Sequence, residues 1–259
     1  MKKGMQGLVL VLLLAIVLTG CKSQERPEES ISESVKPSEE VTTSEEKILT
    51  VFGEIDREEL LENLKSSVIR IEADATDVSG TAITLGGSGV IIDITDSYID
   101  IVTASHVVEQ TAKPLVYFYG GGIAYGRVLA YGKYSDVAFI RVEVDDVSES
   151  VMEVISEAHT ADNEAYSSLA NGETVYMLGS AVRVAEDVVQ GTVKEKDVFV
   201  ALFQNEMLVC YGAVTDGMSG GGTFDAKGDF IGVLVGTDDV DAVSVAITDV
   251  LSEYRSISQ

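Results

Sequence analysis

Short apolar segments separated by Gly, Asp and Ser make up most of the chain after residue 66. Their Val, Ile and Tyr content and their close spacing are typical of β-strands joined by tight turns. The first half of this region is predicted to contain seven strands: Val68–Ala73, Thr81–Leu85, Gly89–Ile94, Tyr98–Thr103, Leu115–Tyr119, Ile123–Tyr131 and Val137–Val144. A polar stretch from Asp145 to Gly172 has no strand pattern and predicts a connection with one helical turn.

A second set of strand-like segments follows this connection. It comprises Glu173–Leu178, Asp187–Lys194, Val198–Phe203, Met207–Ala213, Gly222–Asp225, Phe230–Val235 and Ala242–Ala246. Short amphipathic helices are predicted at both ends of the strand region, one opened by Asp56 as N-cap and one over Thr248–Ile257. The pattern therefore predicts an all-β fold of two six-stranded antiparallel β-barrels, at about 66–145 and 172–248, with a helix at each end.

The beginning of the chain has the pattern of a secretion signal. Lys2 and Lys3 precede an apolar run over Gly7–Leu18 that is too short to span a bilayer comfortably. The run ends in Leu18-Thr19-Gly20-Cys21, which resembles the bacterial lipobox. This resemblance implies a lipoprotein signal peptide over 1–20, a lipid on Cys21 and an extracytoplasmic protein anchored to the cell membrane. A plain signal peptide or an uncleaved anchor with a chance cysteine is the alternative.

Residues 21–47 are mostly Ser, Thr, Glu, Pro and Lys, with no aromatic residue after Cys21. Such a segment buries too little apolar surface to offset its ordering entropy. We interpret it as an acidic, disordered tether for a folded domain over 48–259, although a tail without mechanical role would have the same composition.

The net charge and the two cysteines limit which binding partners and which covalent links we expect. The net charge of −25 argues against nucleic acid or an anionic membrane surface as a partner, because both would be repelled. The two cysteines, Cys21 and Cys210, lie in regions of very different character, so a disulfide between them is not expected. We expect no metal and no cofactor, and Cys210, in an apolar strand, is interpreted as a buried hydrophobe.

Two separate segments offer a general base and its orienting partner. His106 follows small polar residues at the end of a predicted strand, where an imidazole is accessible to a cleft. Asp136 stands at the start of a strongly apolar strand, and a carboxylate there needs a partner such as a His Nδ1–H. Each signal alone is weak, because a structural histidine and a turn aspartate are common. We assign no role to His159, in the polar connection.

The candidate nucleophile lies in a glycine-rich turn, Asp216-Gly-Met-Ser219-Gly-Gly-Gly222. Glycines around a serine allow a tight turn in which successive N–H groups converge on one point. The N–H groups of Gly217 and Ser219 are the predicted oxyanion hole for attack by Ser219 Oγ on a carbonyl carbon. A glycine-rich hairpin without chemistry is the alternative.

The chain order of these three residues, His, Asp and Ser, is that of the chymotrypsin arrangement. From Val68 to Leu251 the chain resembles a bacterial trypsin-like serine protease of the HtrA-like branch. The matching motifs are Gly87-Ser-Gly-Val-Ile-Ile-Asp93, Thr103-Ala-Ser-His106-Val-Val, Asp136-Val-Ala-Phe-Ile-Arg-Val, Leu178-Gly-Ser, Val189-Gln-Gly-Thr-Val, Gly228-Asp-Phe-Ile-Gly232-Val and Val245-Ala-Ile.

The resemblance implies a chymotrypsin-like fold and a serine endopeptidase acting on a protein or peptide substrate. HtrA-like proteins commonly carry PDZ domains after the protease, and this sequence leaves no room for one before Gln259, so we do not expect peptide capture by PDZ. Met218 stands where the family usually has Asn or Asp, and Gly222 where it has Pro or Ala. Because Met218 cannot supply the hydrogen bonds of an Asn, we expect a mobile oxyanion turn.

The same resemblance places the substrate pocket. Ala213 is expected near the base of the pocket for the residue before the scissile bond, and the segment Leu234, Val235, Gly236 and Thr237 is expected to form a wall. These residues suggest a small or apolar side chain in the substrate. The competing interpretation is a double barrel that is catalytically silent, or latent until a partner orders the turn, and that acts as a binding or sensing module.

Overall fold

A computed structural model of the chain describes residues 48–50, 53–55, 57–238 and 240–257. All of them lie in one compact unit, Glu45–Gln259. The predicted signal peptide, Cys21, the tether and the Asp56 cap lie outside the described residues. In the part of the chain that is described, no helix is long and apolar enough to cross a membrane.

The unit begins with a hairpin of two short strands, β1 (Ile48–Thr50) and β2 (Gly53–Ile55), followed by helix α1 (Arg57–Lys65). Leu60 and Leu64 of α1 are buried, as expected for an amphipathic helix that packs one face on the barrels. The predicted N-terminal helix is therefore present.

The first set of strands forms one antiparallel sheet in the order β7-β6-β3-β4-β5-β9-β8. Its strands are β3 (Val68–Thr76), β4 (Ala82–Ile94), β5 (Tyr98–Thr103), β6 (Leu115–Tyr117), β7 (Ile123–Tyr125), β8 (Arg127–Tyr131) and β9 (Ala138–Glu143). The short helix α2 (Ser105–Val108) lies between β5 and β6. Two backbone hydrogen bonds, from Gly126 to Pro114 and from Val128 to Ala112, join segments from the two ends of the sheet.

The connection contains more helix than predicted. A 3-10 turn over Val144–Asp146 is followed by α3 (Glu149–Met152) and α4 (Asn163–Ser168), where the Asp162 side chain accepts a hydrogen bond from Ala165 N–H as an N-cap.

The second set of strands forms a closed barrel in the order β10-β11-β12-β15-β14-β13. Its strands are β10 (Thr174–Gly179), β11 (Asp187–Val200), β12 (Asn205–Tyr211), β13 (Gly222–Asp225), β14 (Phe230–Asp238) and β15 (Asp241–Ala246). Helix α5 (Ile247–Ile257) follows the last strand, as predicted.

The predicted all-β fold with a closed six-stranded second barrel is confirmed, but several details of the strand prediction are wrong. The first sheet has seven strands and is not a closed six-stranded barrel. The predicted strands Thr81–Leu85 and Gly89–Ile94 are one continuous strand, β4, and the predicted strand Ile123–Tyr131 is divided at Gly126, where pairing changes from β6 to β9. The predicted break at Lys194–Val198 is instead a pair of register shifts within continuous β11, with Asp197 at φ 55°.

Helix α5 fastens the second barrel to the first sheet. The Tyr254 hydroxyl donates to Asp100 Oδ2 at 2.6 Å, and the Tyr254 ring lies 5.4 Å from the Phe139 ring. Asp100 is fully buried and accepts two hydrogen bonds from Arg141, at 2.7 and 2.6 Å, so its charge is matched. These contacts fix the strands β5 and β9, which lead into the candidate site.

Candidate active site

His106 lies on the first turn of α2, which directly follows strand β5. The adjacent Ser105 holds this turn, because its hydroxyl donates to Val137 O at 2.5 Å and its N–H donates to Asp136 O at 3.3 Å. The imidazole is therefore carried by backbone that is fastened to the segment bearing the candidate aspartate.

Asp136 contacts His106 through both carboxylate oxygens. Oδ1 accepts the His106 backbone N–H at 3.1 Å, and Oδ2 lies 2.6 Å from His106 Nδ1. Because an ionised carboxylate only accepts hydrogen bonds, Nδ1 carries the proton and Nε2 keeps a free lone pair. The sequence prediction that these two residues pair across 30 positions agrees with this geometry.

The electrostatics of the pair favour the protonated imidazole. The hydrogen bond that His106 donates to Asp136 raises the pKa of His106 above its usual value, and burial opposes this effect without cancelling it. The His106 side chain is 44% exposed and that of Asp136 is 24% exposed, so the imidazole reaches solvent while the carboxylate lies behind it. Such an imidazole can take up a proton and return it.

A residue of α5 holds the turn before Asp136. The Glu253 carboxylate accepts hydrogen bonds from Lys133 N–H at 2.8 Å, Tyr134 N–H at 3.0 Å and Ser135 Oγ at 3.3 Å. Sequence reasoning missed Glu253, because a glutamate on the polar side of a helix gives no signal of a partner 118 positions away.

Ser219 lies in a turn built on two glycines in the left-handed region, Gly217 at φ 90° and Gly220 at φ 89°. Within the turn, Met218 N–H donates to Thr215 O at 3.1 Å and Gly221 N–H donates to Met218 O at 2.9 Å. A side chain at Gly220 would clash with Thr103 Oγ1 and lie against Ala104 N. This close approach brings the residue after Ser219 against the end of the strand that leads to His106.

The two N–H groups predicted as oxyanion donors make no hydrogen bond within the described part of the chain. Among the described residues, neither Gly217 N–H nor Ser219 N–H donates a hydrogen bond to the protein. Since Met218 O is held by Gly221 N–H and a peptide unit is planar, the Ser219 N–H points to the other side of its peptide. Neither N–H group is therefore committed to an acceptor in the described part of the chain.

The expectation that Met218 leaves the turn without an anchor is wrong. The Met218 side chain is 1% exposed and packs against Gly179, and its Sδ accepts a hydrogen bond from Thr215 N–H at 3.5 Å. Apolar burial and a sulfur acceptor replace the hydrogen bonds that an Asn would make.

The backbone around Ser219 lies against the end of strand β5, which leads to His106, because Ser219 O accepts the Ser88 N–H at 2.8 Å and Ser88 O accepts from Thr103 Oγ1 at 2.6 Å. In the described part of the chain, no hydrogen bond joins Ser219 Oγ to His106 Nε2. Catalytic hydrogen bonds are often long without a ligand and tighten in the complex, so the absence of this bond does not exclude a nucleophile and base pair.

The five residues predicted to form the substrate pocket differ in exposure. Leu234 bonds the turn through its backbone, since Gly220 N–H donates to Leu234 O at 2.7 Å and Leu234 N–H donates to Gly221 O at 2.8 Å. Leu234 and Val235 are only 1% and 3% exposed, so they lie in the core and offer no surface to a ligand. Ala213 and Thr237 are exposed and Gly236 is half-buried.

The other reactive side chains lie apart from this site. Cys210 is buried, and burial raises its pKa to about 12, which agrees with a hydrophobic role. His159 is 83% exposed and pairs with Asp229 at 2.7 Å. Among the described residues, no cluster of three or more His, Cys, Asp or Glu side chains is arranged to hold a metal ion.

Comparisons with known proteins bear on the family and the fold of the chain. A sequence model of the family described as trypsin-like peptidase domain matches residues 87–233, more than half of the chain. No curated protein sequence matches the chain. Among solved structures, a variant of the HtrA-type protease AlgW, solved with a decapeptide, matches with a TM-score of 0.65 and 14% identity over 78% of this chain and 67% of that chain.

Proposed function

The chain belongs to the trypsin-like peptidase domain family, and from this premise we propose that it is a membrane-tethered serine endopeptidase whose catalytic residues are His106, Asp136 and Ser219. The observation that carries the proposal is the pairing of His106 Nδ1 with Asp136 Oδ2 at 2.6 Å, opposite a serine turn with two unbonded N–H groups. A structural histidine would not require those free donors.

The proposed reaction proceeds through an acyl-enzyme. Ser219 Oγ attacks the scissile carbonyl carbon and its proton passes to His106 Nε2, while Asp136 stabilises the imidazolium that forms. The N–H groups of Gly217 and Ser219 stabilise the developing oxyanion. His106 then gives the proton to the leaving amine as the C–N bond breaks, and water, deprotonated by the same imidazole, releases the acyl group and restores Ser219.

The proposed substrate is an extended protein or peptide segment. The AlgW variant of the same fold was solved with a decapeptide, and an exposed Ala213 near the turn favours a small or apolar residue before the scissile bond. We propose that Cys21 carries the lipid that holds the enzyme at the extracytoplasmic face of the membrane.

Hydrolysis of fluorescently labelled casein tests the triad. Ser219→Ala and His106→Ala should lower the rate by several orders of magnitude, and Asp136→Asn by about 10⁴-fold, with unchanged Tm within a few degrees. A low rate in the wild type that persists in all three variants would instead favour the binding or sensing module.

The tether needs a separate test, because activity does not depend on it. Cys21→Ser should abolish incorporation of a labelled fatty acid and leave the precursor unprocessed by the lipoprotein pathway. Labelling that persists in Cys21→Ser would refute the anchor and leave the catalytic proposal intact.

A further inference from the structure

We propose that Ser88 is a positioning residue that holds the oxyanion turn in its donating geometry from the opposite side of the site. This inference rests on the proposed function, because it assigns a residue to the same catalytic turn. Ser88 lies in β4 of the first sheet, 129 positions before Gly217, and it is fully buried.

Every polar group of Ser88 makes a hydrogen bond to another segment of the chain. Its hydroxyl accepts from Ser180 N–H at 2.8 Å and donates to Gly217 O at 2.7 Å. Its backbone N–H donates to Ser219 O at 2.8 Å, and its backbone carbonyl accepts from Thr103 Oγ1 at 2.6 Å. One residue thus joins the second-barrel loop after β10, the oxyanion turn and the strand that leads to His106.

The direction of the hydroxyl proton follows from these contacts. A serine hydroxyl has one proton, and Ser180 N–H occupies one of its lone pairs as a donor, so the proton is directed to Gly217 O. Since Ser88 is fully buried, solvent does not compete for this bond. The hydroxyl therefore acts as a fixed donor to the turn.

Holding Gly217 O constrains the neighbouring oxyanion donor. The peptide between Gly217 and Met218 is held at both ends, by Ser88 Oγ on the carbonyl and by Thr215 O on the N–H. The preceding peptide, which carries the Gly217 N–H, has no such bond on that N–H among the described residues. Gly217, at φ 90°, is the flexible joint between the two peptides. Releasing its carbonyl would let both dihedrals of Gly217 relax and turn the N–H away.

The test compares Ser88→Ala with a matched control, Ser67→Ala. Ser67 is also buried, at 2% exposed, and its hydroxyl also donates to a backbone carbonyl, that of Leu64, at 2.8 Å, but it lies before β3 and does not contact the turn. The readout is the second-order rate of labelling by a fluorophosphonate as a function of pH, well below the Tm of each variant.

We expect Ser88→Ala to lower the labelling rate at the high-pH plateau by about 10–100-fold, less than the loss of a whole oxyanion donor. The pH midpoint should not move, because the His106–Asp136 pair is untouched, and Ser67→Ala should keep the wild-type rate within about twofold. If Ser88→Ala does not fold, Ser88→Cys, with a similar shape and a weaker donor, should likewise lower the plateau rate without moving the pH midpoint.

A Ser88→Ala plateau equal to that of the wild type, or equal losses in Ser88→Ala and Ser67→Ala, would overturn the inference. Absence of labelling in the wild type would instead overturn the proposed function. In that case ¹⁵N relaxation dispersion still decides the role of Ser88: new exchange at Gly217 and Ser219 in Ser88→Ala alone supports it, and unchanged profiles reject it.

Discussion

The substitution Met218→Asn distinguishes an anchored oxyanion turn from a mobile one. Met218 is 1% exposed, packs against Gly179 and accepts the Thr215 N–H. If this packing anchors the turn, an asparagine there removes apolar burial and places an amide in an apolar site. If the turn is mobile because it lacks an Asn, the same substitution should order it and raise activity.

The structure gives the magnitude for the anchored case. Losing the burial of a methionine side chain costs about 1.5–3 kcal/mol, and an unsatisfied buried amide costs about 1–3 kcal/mol. We therefore expect Met218→Asn to lower the free energy of unfolding by about 3–5 kcal/mol, and Tm by about 10 °C for a unit of this size. Met218→Leu, which keeps the volume and loses only the sulfur acceptor, should cost less than about 1.5 kcal/mol.

Differential scanning calorimetry and casein hydrolysis, the latter well below each Tm, measure the two effects separately. Met207→Asn is the matched control, because Met207 is equally buried, at 1% exposed, on β12. We expect both Asn variants to lose Tm, but only Met218→Asn to lose kcat/KM. A rise of about tenfold in kcat/KM with unchanged Tm in Met218→Asn, equivalent to about 1.4 kcal/mol in the turn equilibrium, would refute this reasoning and support a latent enzyme.

Two further predictions concern the base and its support. Because catalysis needs neutral His106, kcat/KM should rise with pH through the raised pKa of His106. Asp136→Asn removes the main cause of that raised pKa, so it should move the midpoint of the pH profile to lower pH. An unmoved midpoint would contradict the pairing of His106 with Asp136. Glu253→Ala should lower the free energy of unfolding, measured by urea titration, by about 1–3 kcal/mol. It should also reduce kcat/KM in the casein assay, but less than Asp136→Asn does, and Glu253→Gln should lie between Glu253→Ala and the wild type. Wild-type values in Glu253→Ala would exclude a role for the contact between Glu253 and the turn before Asp136.

The sequence predicted the features that depend on local pattern. The strands at Tyr98–Thr103 and Gly222–Asp225 have the predicted bounds, because each is a short β-rich run between clear turn residues. The pairing of His106 with Asp136 was predictable as well, since the resemblance supplied a contact that spacing alone could not give.

The features that the sequence missed depend on contacts between distant segments. Ser88 belongs to the matching motif Gly87–Asp93, but nothing near it in sequence indicates a bond to Gly217. The sequence shows only that Met218 lacks hydrogen-bonding groups, whereas its packing against Gly179 is defined by the fold. The same limit applies to Leu234, whose backbone contacts the turn while its side chain points into the core.

The most direct test of the account is covalent labelling by a fluorophosphonate followed by peptide mapping, because it requires no knowledge of the natural substrate. We predict one adduct per chain on Ser219, lost in Ser219→Ala and strongly slowed in His106→Ala, since the nucleophile needs its base. A folded wild-type protein that forms no adduct, or an adduct that persists in Ser219→Ala, would contradict the assignment of Ser219 as the nucleophile.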